Sequence, residues 1–554
     1  MVTVRTIFWI LLFSPTFGYS GEVPPEGPDL DKAKMEEVED LSESLANALL
    51  EFSVAARDRD FARMFEFFAP SVKATLWPAG SGHGEAVTDW IDSAHTNLDA
   101  SAMTTVDNSQ FLENWKSLLA EYSETEDVRF KVKDATFADR STDGAKFKFF
   151  IVGRDQSHQR RWQKGNGHME ASLDSKGQWK ISLWVIDDID TYTASEDLFS
   201  EVGYPAGVAE TLPPYGSPGN DNFLYHGSAA GDLDADGFVD LVVTGNQRCF
   251  IYLNQKDGTF RDAGLNIGLP PMPQATAPLM IDYDNDGDLD LFFSASGQQM
   301  LFENQLKPRG ELLFLDLSIE SGIAKEAIGF SAAAGDINND GWPDIYVASY
   351  NQYGKFLPNS WHQATNGTPN LLFVNQKDGT FKELSSAYGV RDTRWSYAAQ
   401  FADVDGDGKQ DLYVANDYGE NALYLNRGDH FVDNAVDSGV LDPGNGMGVS
   451  FGDINNDGIL DLFVTNMSST AGNRILNRLF PSSNPSDSVL RKLAAGSTMF
   501  QGLGGGKFTD VTGTHGPFST GWAWGGVFVD FDNDGWQDVY CNSGFVSGKS
   551  MKDT

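Results

Sequence analysis

Residues 401–417 read FADVDGDGKQDLYVAND, and Asp403, Asp405, Asp407 and Asp411 fall within nine positions of it. At an effective dielectric of ~20, two carboxylates ~5 Å apart repel by about 3 kcal/mol. A folded chain keeps such a cluster when something offsets the repulsion. Oxygens at positions 1, 3 and 5 converge if the chain turns sharply, and a glycine at position 6, here Gly408, permits the turn. The carbonyl of position 7 then points inward and the aspartate at position 9 closes the shell. Six or seven hard oxygens are what Ca²⁺ takes, at ~2.3–2.6 Å. No Cys or His takes part, which disfavours zinc and copper, and the tighter octahedron of Mg²⁺ is a poorer fit.

The pattern occurs six times. The stretch quoted is the fourth loop, with Asp403, Asp405, Asp407, the carbonyl of Lys409, and Asp411 as expected ligands. In the first, Asp232, Asp234, Asp236, Phe238 and Asp240 hold the same positions. The second has Asp282, Asp284, Asp286, Asp288 and Asp290, and the third Asp336, Asn338, Asp340, Trp342 and Asp344. The fifth carries Asp453, Asn455, Asp457, Ile459 and Asp461, and the last Asp530, Asp532, Asp534, Trp536 and Asp538. Up to six structural Ca²⁺ ions are therefore expected. These are not EF-hands, which place a bidentate Glu at position 12. Position 12 is Val243, Phe293, Val347, Val414, Val464 and Cys541. Asx-rich hairpin turns explain one such loop, but six copies in matching strand contexts need a shared ligand.

The first acids are spaced by 50, 54, 67, 50 and 77 residues, a repeat array by period. A strand-like run follows each loop. After most loops comes a second element, YLNQKDGTFRD at 252, FVNQKDGTFKE at 373, YLNRGDHFVD at 424 and FQGLGGGKFTD at 500. It reads as strand, tight turn, strand. Each unit thus holds about four short strands, the content of one propeller blade. SSNPSDSVLRKLAAGS, in the longest interval, reads as a surface insertion with a short helix.

MGVSFGDINNDGILDLFVTN, GWAWGGVFVDFDNDGWQDVYCNSGF and VNQKDGTFKEL resemble the FG-GAP or VCBS repeats of integrin α-subunit propellers, and more closely the cartilage acidic protein and UnbV (ASPIC) group. The resemblance implies a propeller of six or seven blades over 200–554. It places each acidic loop as a structural calcium site on the edge away from the usual ligand surface. It also implies further chain after the last repeat. The sequence ends sixteen residues after Asp538, so the expectation is a fragment or an unusual closure of the last blade.

Ahead of the array, Leu41, Leu45, Leu49, Phe52 and Ala56 share a helical face, and Phe61, Met64, Phe65 and Phe68 form a second stripe before Pro70. VRFKVKDATF, AKFKFFIVGRD, RRWQKGNGHMEASLD and GQWKISLWVID alternate with period two and predict four antiparallel strands. Helices followed by a sheet predict an α+β domain over 35–195. LLEFSVAARDRDFARMFEFFAP resembles the nuclear-transport-factor-2-like or SnoaL-like cone, whose members often hold a pocket and include enzymes. His83, His95, His158 and His168 are the titratable candidates there, with no assignable acid–base pair.

Arg5, the apolar run Ile7–Phe13 and the small residues Gly18 and Ser20 predict a signal peptide over 1–20 and export, with a Pro, Gly and acid-rich linker at 21–34. The expected place is secreted, periplasmic or cell-surface. A net charge of −39 argues against nucleic acid and against anionic lipid, and the apolar run is too short to span a bilayer. Cys249 and Cys541 exclude a disulfide-dense scaffold and leave one disulfide or two thiols open.

Two functions follow. One is an exported, non-catalytic, calcium-stabilised protein that binds an extracellular protein or glycan, with Trp361, Tyr353, Trp395 and Trp522 as candidate stacking residues. The other is an exported hydrolase or lyase acting on glycans or small molecules through the N-terminal pocket or the propeller face. Against the second stands the lack of a G-x-S-x-G nucleophile motif and of a His cluster at metal-ligand spacing.

Overall fold

The computed structural model describes residues 32–543 except 79–83, 89, 99–102, 139–140, 198, 210–226, 246–247, 353–354, 361, 470–471, 474–475, 477–487 and 515–520. The expected signal peptide and residues 21–31 of the expected linker lie outside the described residues, as do His83, Tyr353 and Trp361. The chain forms two compact units that part between Ser200 and Glu201.

In the first unit, helix α1 (Lys32–Arg57) buries Leu45, Leu49, Phe52 and Ala56. It starts inside the stretch read as linker. Asp60 caps the short helix α2 (Phe61–Phe65). Strand β1 (Phe68–Ala74) follows, then β2 (Glu85–Ala86), β3 (Ile91–Asn97) and β4 (Thr104–Asp107). Helix α3 (Asn108–Leu119) is capped by the Asp107 carboxylate. The long strands β5 (Tyr122–Ala138), β6 (Ser141–Asp155), β7 (Arg160–Leu173) and β8 (Trp179–Ala194) are antiparallel neighbours in that order. Register shifts in β5 and β8 mark bulges, which bend a sheet. Helix α1 packs on β5. The Phe52 ring meets Phe67, Phe68, Trp115, Phe130 and Trp184 edge-on at centroid distances of 5.3–5.7 Å, contacts worth ~0.5–1.5 kcal/mol each beyond burial.

The second helical stripe is corrected. Phe65 is 40% exposed, and Phe68 is buried in a strand rather than a helix. Pro70 lies in β1 where the parallel pairing with β8 slips between Phe68 and Lys73. A proline removes one donor, and an irregular edge tolerates that loss.

In the second unit, five groups of four antiparallel strands follow one another along the chain, the second and third joined into one eight-stranded sheet where Ser296–Gln298 pair with Glu326–Ile328. The first holds β9 (Ser228–Gly231), β10 (Asp240–Val243), β11 (Phe250–Asn254) and β12 (Phe260–Asp262). The second holds β13 (Ala275–Ile281), β14 (Asp290–Gln298), β15 (Met300–Asn304) and β16 (Phe314–Asp316). The third holds β17 (Glu326–Gly335), β18 (Asp344–Ser349), β19 (Leu371–Asn375) and β20 (Phe381–Glu383). The fourth runs β21 (Trp395–Ala402), β22 (Asp411–Tyr418), β23 (Ala422–Asn426) and β24 (Phe431–Asp433). The fifth runs β25 (Gly446–Gly452), β26 (Asp461–Asn466), β27 (Thr498–Gly504) and β28 (Lys507–Asp510). A hairpin of β29 (Ala523–Val529) and β30 (Asp538–Ser543) is the last described pair. The insertion does carry a helix, Ser488–Ala495.

The core of this unit is a series of slabs. One cluster joins the first and second sheets, a second the second and third, and others the third with the fourth and the fourth with the fifth. The first strand of each sheet packs against the first strand of the next. Those strands are rich in Ala and Gly, which close approach demands. A Cβ on Gly448 would stand 2.9 Å from the Gly525 Cα. Cys249 is a buried thiol in the first slab, pushed up to about 12 by burial, and Cys541 is a separate thiol.

Candidate metal sites in the acidic loops

Each acidic loop joins the first strand of a sheet to the second. Position 1 follows the last residue of β9, β13, β17, β21, β25 or β29, and position 9 opens the next strand. Two left-handed residues fold the loop. One is the expected glycine at position 6, with φ between 82° and 94° at Gly237, Gly287, Gly341, Gly408, Gly458 and Gly535. The other is position 4, held by Ala235, Asn285, Asn339, Gly406, Asn456 and Asn533, with φ between 54° and 77°. Asn and Gly enter this region at least cost.

In all six loops the position-6 N–H donates to the position-1 carboxylate, at 2.7–3.1 Å. The position-9 carboxylate accepts the N–H of position 2 in every loop. In five of them its other oxygen accepts a backbone N–H from the third strand, at Asn254, Asn304, Asn375, Asn426 or Gly502. This aspartate is therefore a structural lock as well as a candidate ligand. Asp240, Asp290, Asp344, Asp411 and Asp461 are at most 1% exposed. Burial first, and neighbouring carboxylates of the loop, raise their pKa values, to about 9 at Asp290, about 7 at Asp344 and about 6 at Asp411.

Carboxylate oxygens of positions 1, 3 and 9 come within 4.8 Å of one another in four loops: Asp232, Asp234 and Asp240; Asp282, Asp284 and Asp290; Asp403, Asp405 and Asp411; Asp530, Asp532 and Asp538. These triads have the geometry to hold a metal ion. In the third and fifth loops Asn338 and Asn455 occupy position 3, so two carboxylates remain for the same geometry. Position 5 does not join the triads. Asp236, Asp286, Asp340, Asp407, Asp457 and Asp534 each accept the N–H of position 7, that of Phe238, Asp288, Trp342, Lys409, Ile459 or Trp536. Three of them also meet a lysine: Lys256 on Asp236 at 3.1 Å, Lys377 on Asp340 at 3.2 Å and Lys409 on Asp407 at 2.7 Å.

A bound cation fits these loops because some buried oxygens have no partner. Asp234 Oδ1, Asp282 Oδ1 and Asp288 Oδ1 lie buried without a hydrogen bond, a state that costs about 1–3 kcal/mol or more for a charged group. All the available donors are carboxylate, amide or peptide oxygens, the hard set that Ca²⁺ takes. When bound, the ion supplies positive charge among the aspartates and a cross-link across the turn.

Asparagines tie the loops into a series, a feature the sequence reading missed. Nδ2 of Asn285, Asn339 and Asn456, all at position 4, donates to the position-6 carbonyl of the next loop, that of Gly341, Gly408 and Gly535. At the end of the third strand, Asn304, Asn375 and Asn426 donate to the position-2 carbonyl of the preceding loop, at Leu233, Tyr283 and Ile337. The Asn of FVNQKDG and YLNRGD was the available signal, whereas Asn304 lies in LFENQ, outside those stretches. Asn375→Ala removes the bond to Tyr283 and a second, to Pro343 of its own repeat, and leaves one buried and one half-buried carbonyl without that donor. The expected loss is ~2–3 kcal/mol, read as a lower urea midpoint. An unchanged midpoint would show that the tie carries no load.

The histidine candidates do not assemble a site. Among the described ones, His95 and His168 are exposed and paired to Asp190 and Asp187 at 2.6 and 3.0 Å, and His158 sits in a turn. The Asp190 bond raises the His95 pKa. Trp395 is fully buried and donates to Asn366, so it is packing rather than a stacking surface. Trp522 is half-buried, 6.1 Å from Trp524.

A sequence profile described as FG-GAP-like repeat matches residues 232–293, 336–414, 403–464 and 487–541, the segments that carry the loops. Cartilage acidic protein 1 of Mus musculus is 25% identical over 65% of this chain and 54% of its own length. The Homo sapiens protein of that name is 24% identical over 48% of this chain and 41% of its own. The chain thus spans about half the length of the curated relatives it matches. A nuclear transport factor 2-like protein of Salmonella enterica covers 30% of this chain and 97% of its own, at 10% identity and a TM-score of 0.19, a likeness too slight to carry an argument. Over its second unit, the chain is an array of FG-GAP-like repeats homologous to cartilage acidic protein 1.

Proposed function

We propose that this chain is an exported, calcium-stabilised propeller that works by binding an extracellular protein or glycan rather than by catalysis. The observation that carries this reading is the acidic loop written six times, four copies of which gather an aspartate triad and two of which hold buried carboxylate oxygens with no hydrogen-bond partner among the described residues. Calcium is the ion of choice, up to one per loop, since the donors are all hard oxygens and millimolar extracellular levels load even weak sites. Each four-stranded sheet is a blade, and the ions brace the loop edge.

The opposite edge is then left for a partner. It is formed by the start of each first strand and the end of each second strand. The half-buried Tyr397, Tyr418, Trp522 and Trp524 gather there around the buried Tyr350, with ring centroids 5.9–6.4 Å apart between neighbours. Aromatic rings beside polar loops suit both sugar rings and protein side chains. The test presents the calcium-loaded full chain to glycan and extracellular-protein arrays and to a broad glycoside and ester panel. Saturable binding that Trp524→Ala abolishes is the expected result. Turnover of a panel substrate, lost on one substitution with an unchanged melting temperature, would overturn the reading.

A further inference from the structure

We infer that the acidic loops load with calcium in a fixed order, 282–290 first and 403–411 last, because the chain supplies the latter with cations of its own. This inference rests on the calcium reading above and concerns what separates one loop from another.

The loop at 282–290 carries five aspartates, since Asp288 takes position 7. It differs from the other five in one hydrogen bond. Elsewhere the position-5 N–H donates to the position-1 carboxylate. Here the Asp286 N–H goes to Asp284 instead, and Asp282 Oδ1 is left buried without a partner. Asp288 Oδ1 is a second such oxygen, on a residue 4% exposed. Among the described residues no basic side chain pairs with this loop. Lys307 meets it through its backbone N–H on Asp288 Oδ2. An ion entering here breaks no salt bridge, and Asp282, whose Oδ1 is stranded, is a member of the triad that would hold it.

The loop at 403–411 is the reverse. Asp403 already accepts from Gly406, Asp407 and Gly408. Arg427 Nη1 lies 3.2 Å from Asp405 Oδ2, on a triad carboxylate. Lys409 Nζ lies 2.7 Å from Asp407 Oδ2. A cation must compete with both. The loops at 232–240 and 336–344 stand between the extremes: each has one lysine, on position 5 and outside the triad position.

The test is calorimetric titration of the chelator-stripped full chain with calcium, with ion counts by native mass spectrometry. Asp284→Asn removes the tightest binding event and leaves the weakest in place. Arg427→Gln tightens the weakest event about tenfold or more, the effect of removing one positive charge ~5 Å from a divalent ion at the aqueous dielectric limit. Arg427→Lys, which keeps the charge, leaves it weak. Lys409→Gln, at an exposed side chain, moves the same event in the same direction and serves if Arg427→Gln fails to fold. Ion uptake that none of these variants reorders would overturn the loading order while leaving the calcium reading intact. No uptake by any chain would overturn the calcium reading itself.

Discussion

Excess chelator is expected to lower the main melting temperature of the full chain by at least ~10 °C. An ion that binds only the folded state adds about 2.7 kcal/mol when its concentration is a hundred times its Kd. For a unit of this size, ~1 kcal/mol moves the melt by about 1–2 °C, so loss of the ions from several occupied loops suffices. The pH dependence has a definite sign. Without metal, burial raises the carboxyls of Asp290, Asp344 and Asp411 above the ordinary value, to about 9, 7 and 6. A raised carboxyl binds its proton more tightly in the folded chain than in the unfolded one. Its contribution is therefore full at acid pH and is lost as pH rises through the folded value. Metal-free protein should gain stability between pH 8 and pH 5, whereas protons displace calcium over the same range. The gap between calcium-loaded and chelated melts is thus widest at pH 8 and narrows toward pH 5. A gap that is absent, or that widens on acidification, would mean the loops hold no ion.

The loops were legible because they are written six times. Position 6 glycine, the strands on either side and the repeat period all follow from one local turn that the sequence repeats with little change. What sequence reading left out lies in contacts between copies. The asparagine of FVNQKDG looks like a turn residue, yet Asn375 is buried with its amide on the Tyr283 and Pro343 carbonyls. Position 4 looks variable, because Ala, Gly and Asn share only a backbone angle. The role of position 9 was half read. Asp344 does converge on the loop, but both its oxygens are committed to the N–H groups of Ile337 and Asn375. A second hairpin in the second sheet was missed as well, since the short helix Leu306–Arg309 replaces the tight turn there.

In the first unit the four long strands were readable from alternation, with Phe147, Phe149 and Ile151 buried on one face of β6. The strands from β1 to β4 were not. Strand β3 reads IDSAHTN, and none of its residues is fully buried. With little apolar surface on either face, period two leaves no trace in composition. Parallel pairing of β1 with β8 joins residues over a hundred positions apart, and no local signal announces it.

The second large effect is expected at a position no motif marks. Asp392→Ala should cost ~3–5 kcal/mol, more than any single loop aspartate. Asp392 is 5% exposed at its side chain and Arg394 19%. The Arg394 guanidinium donates to both Asp392 oxygens, to the Glu420 carbonyl and to the Tyr424 hydroxyl, and reaches Asp433 at 3.3 Å. Tyr424 in turn donates to Asp392. Removing the carboxylate leaves the half-buried guanidinium only the 3.3 Å contact to Asp433 as a counter-charge and takes the acceptor from the buried Tyr424 hydroxyl, and guanidinium cannot shed its charge to escape. The loss arises from the under-compensated ion rather than from the pair's own worth. Replacing both partners with apolar residues, Asp392→Leu with Arg394→Met, should therefore recover much of it. Urea midpoints of the two single variants and the double variant, all in saturating calcium, check this. A double variant as unstable as the sum of the singles would show that Arg394 acts through its other bonds, to Glu420 and Asp433, and that the ion pair is not what holds the fourth sheet to its loop.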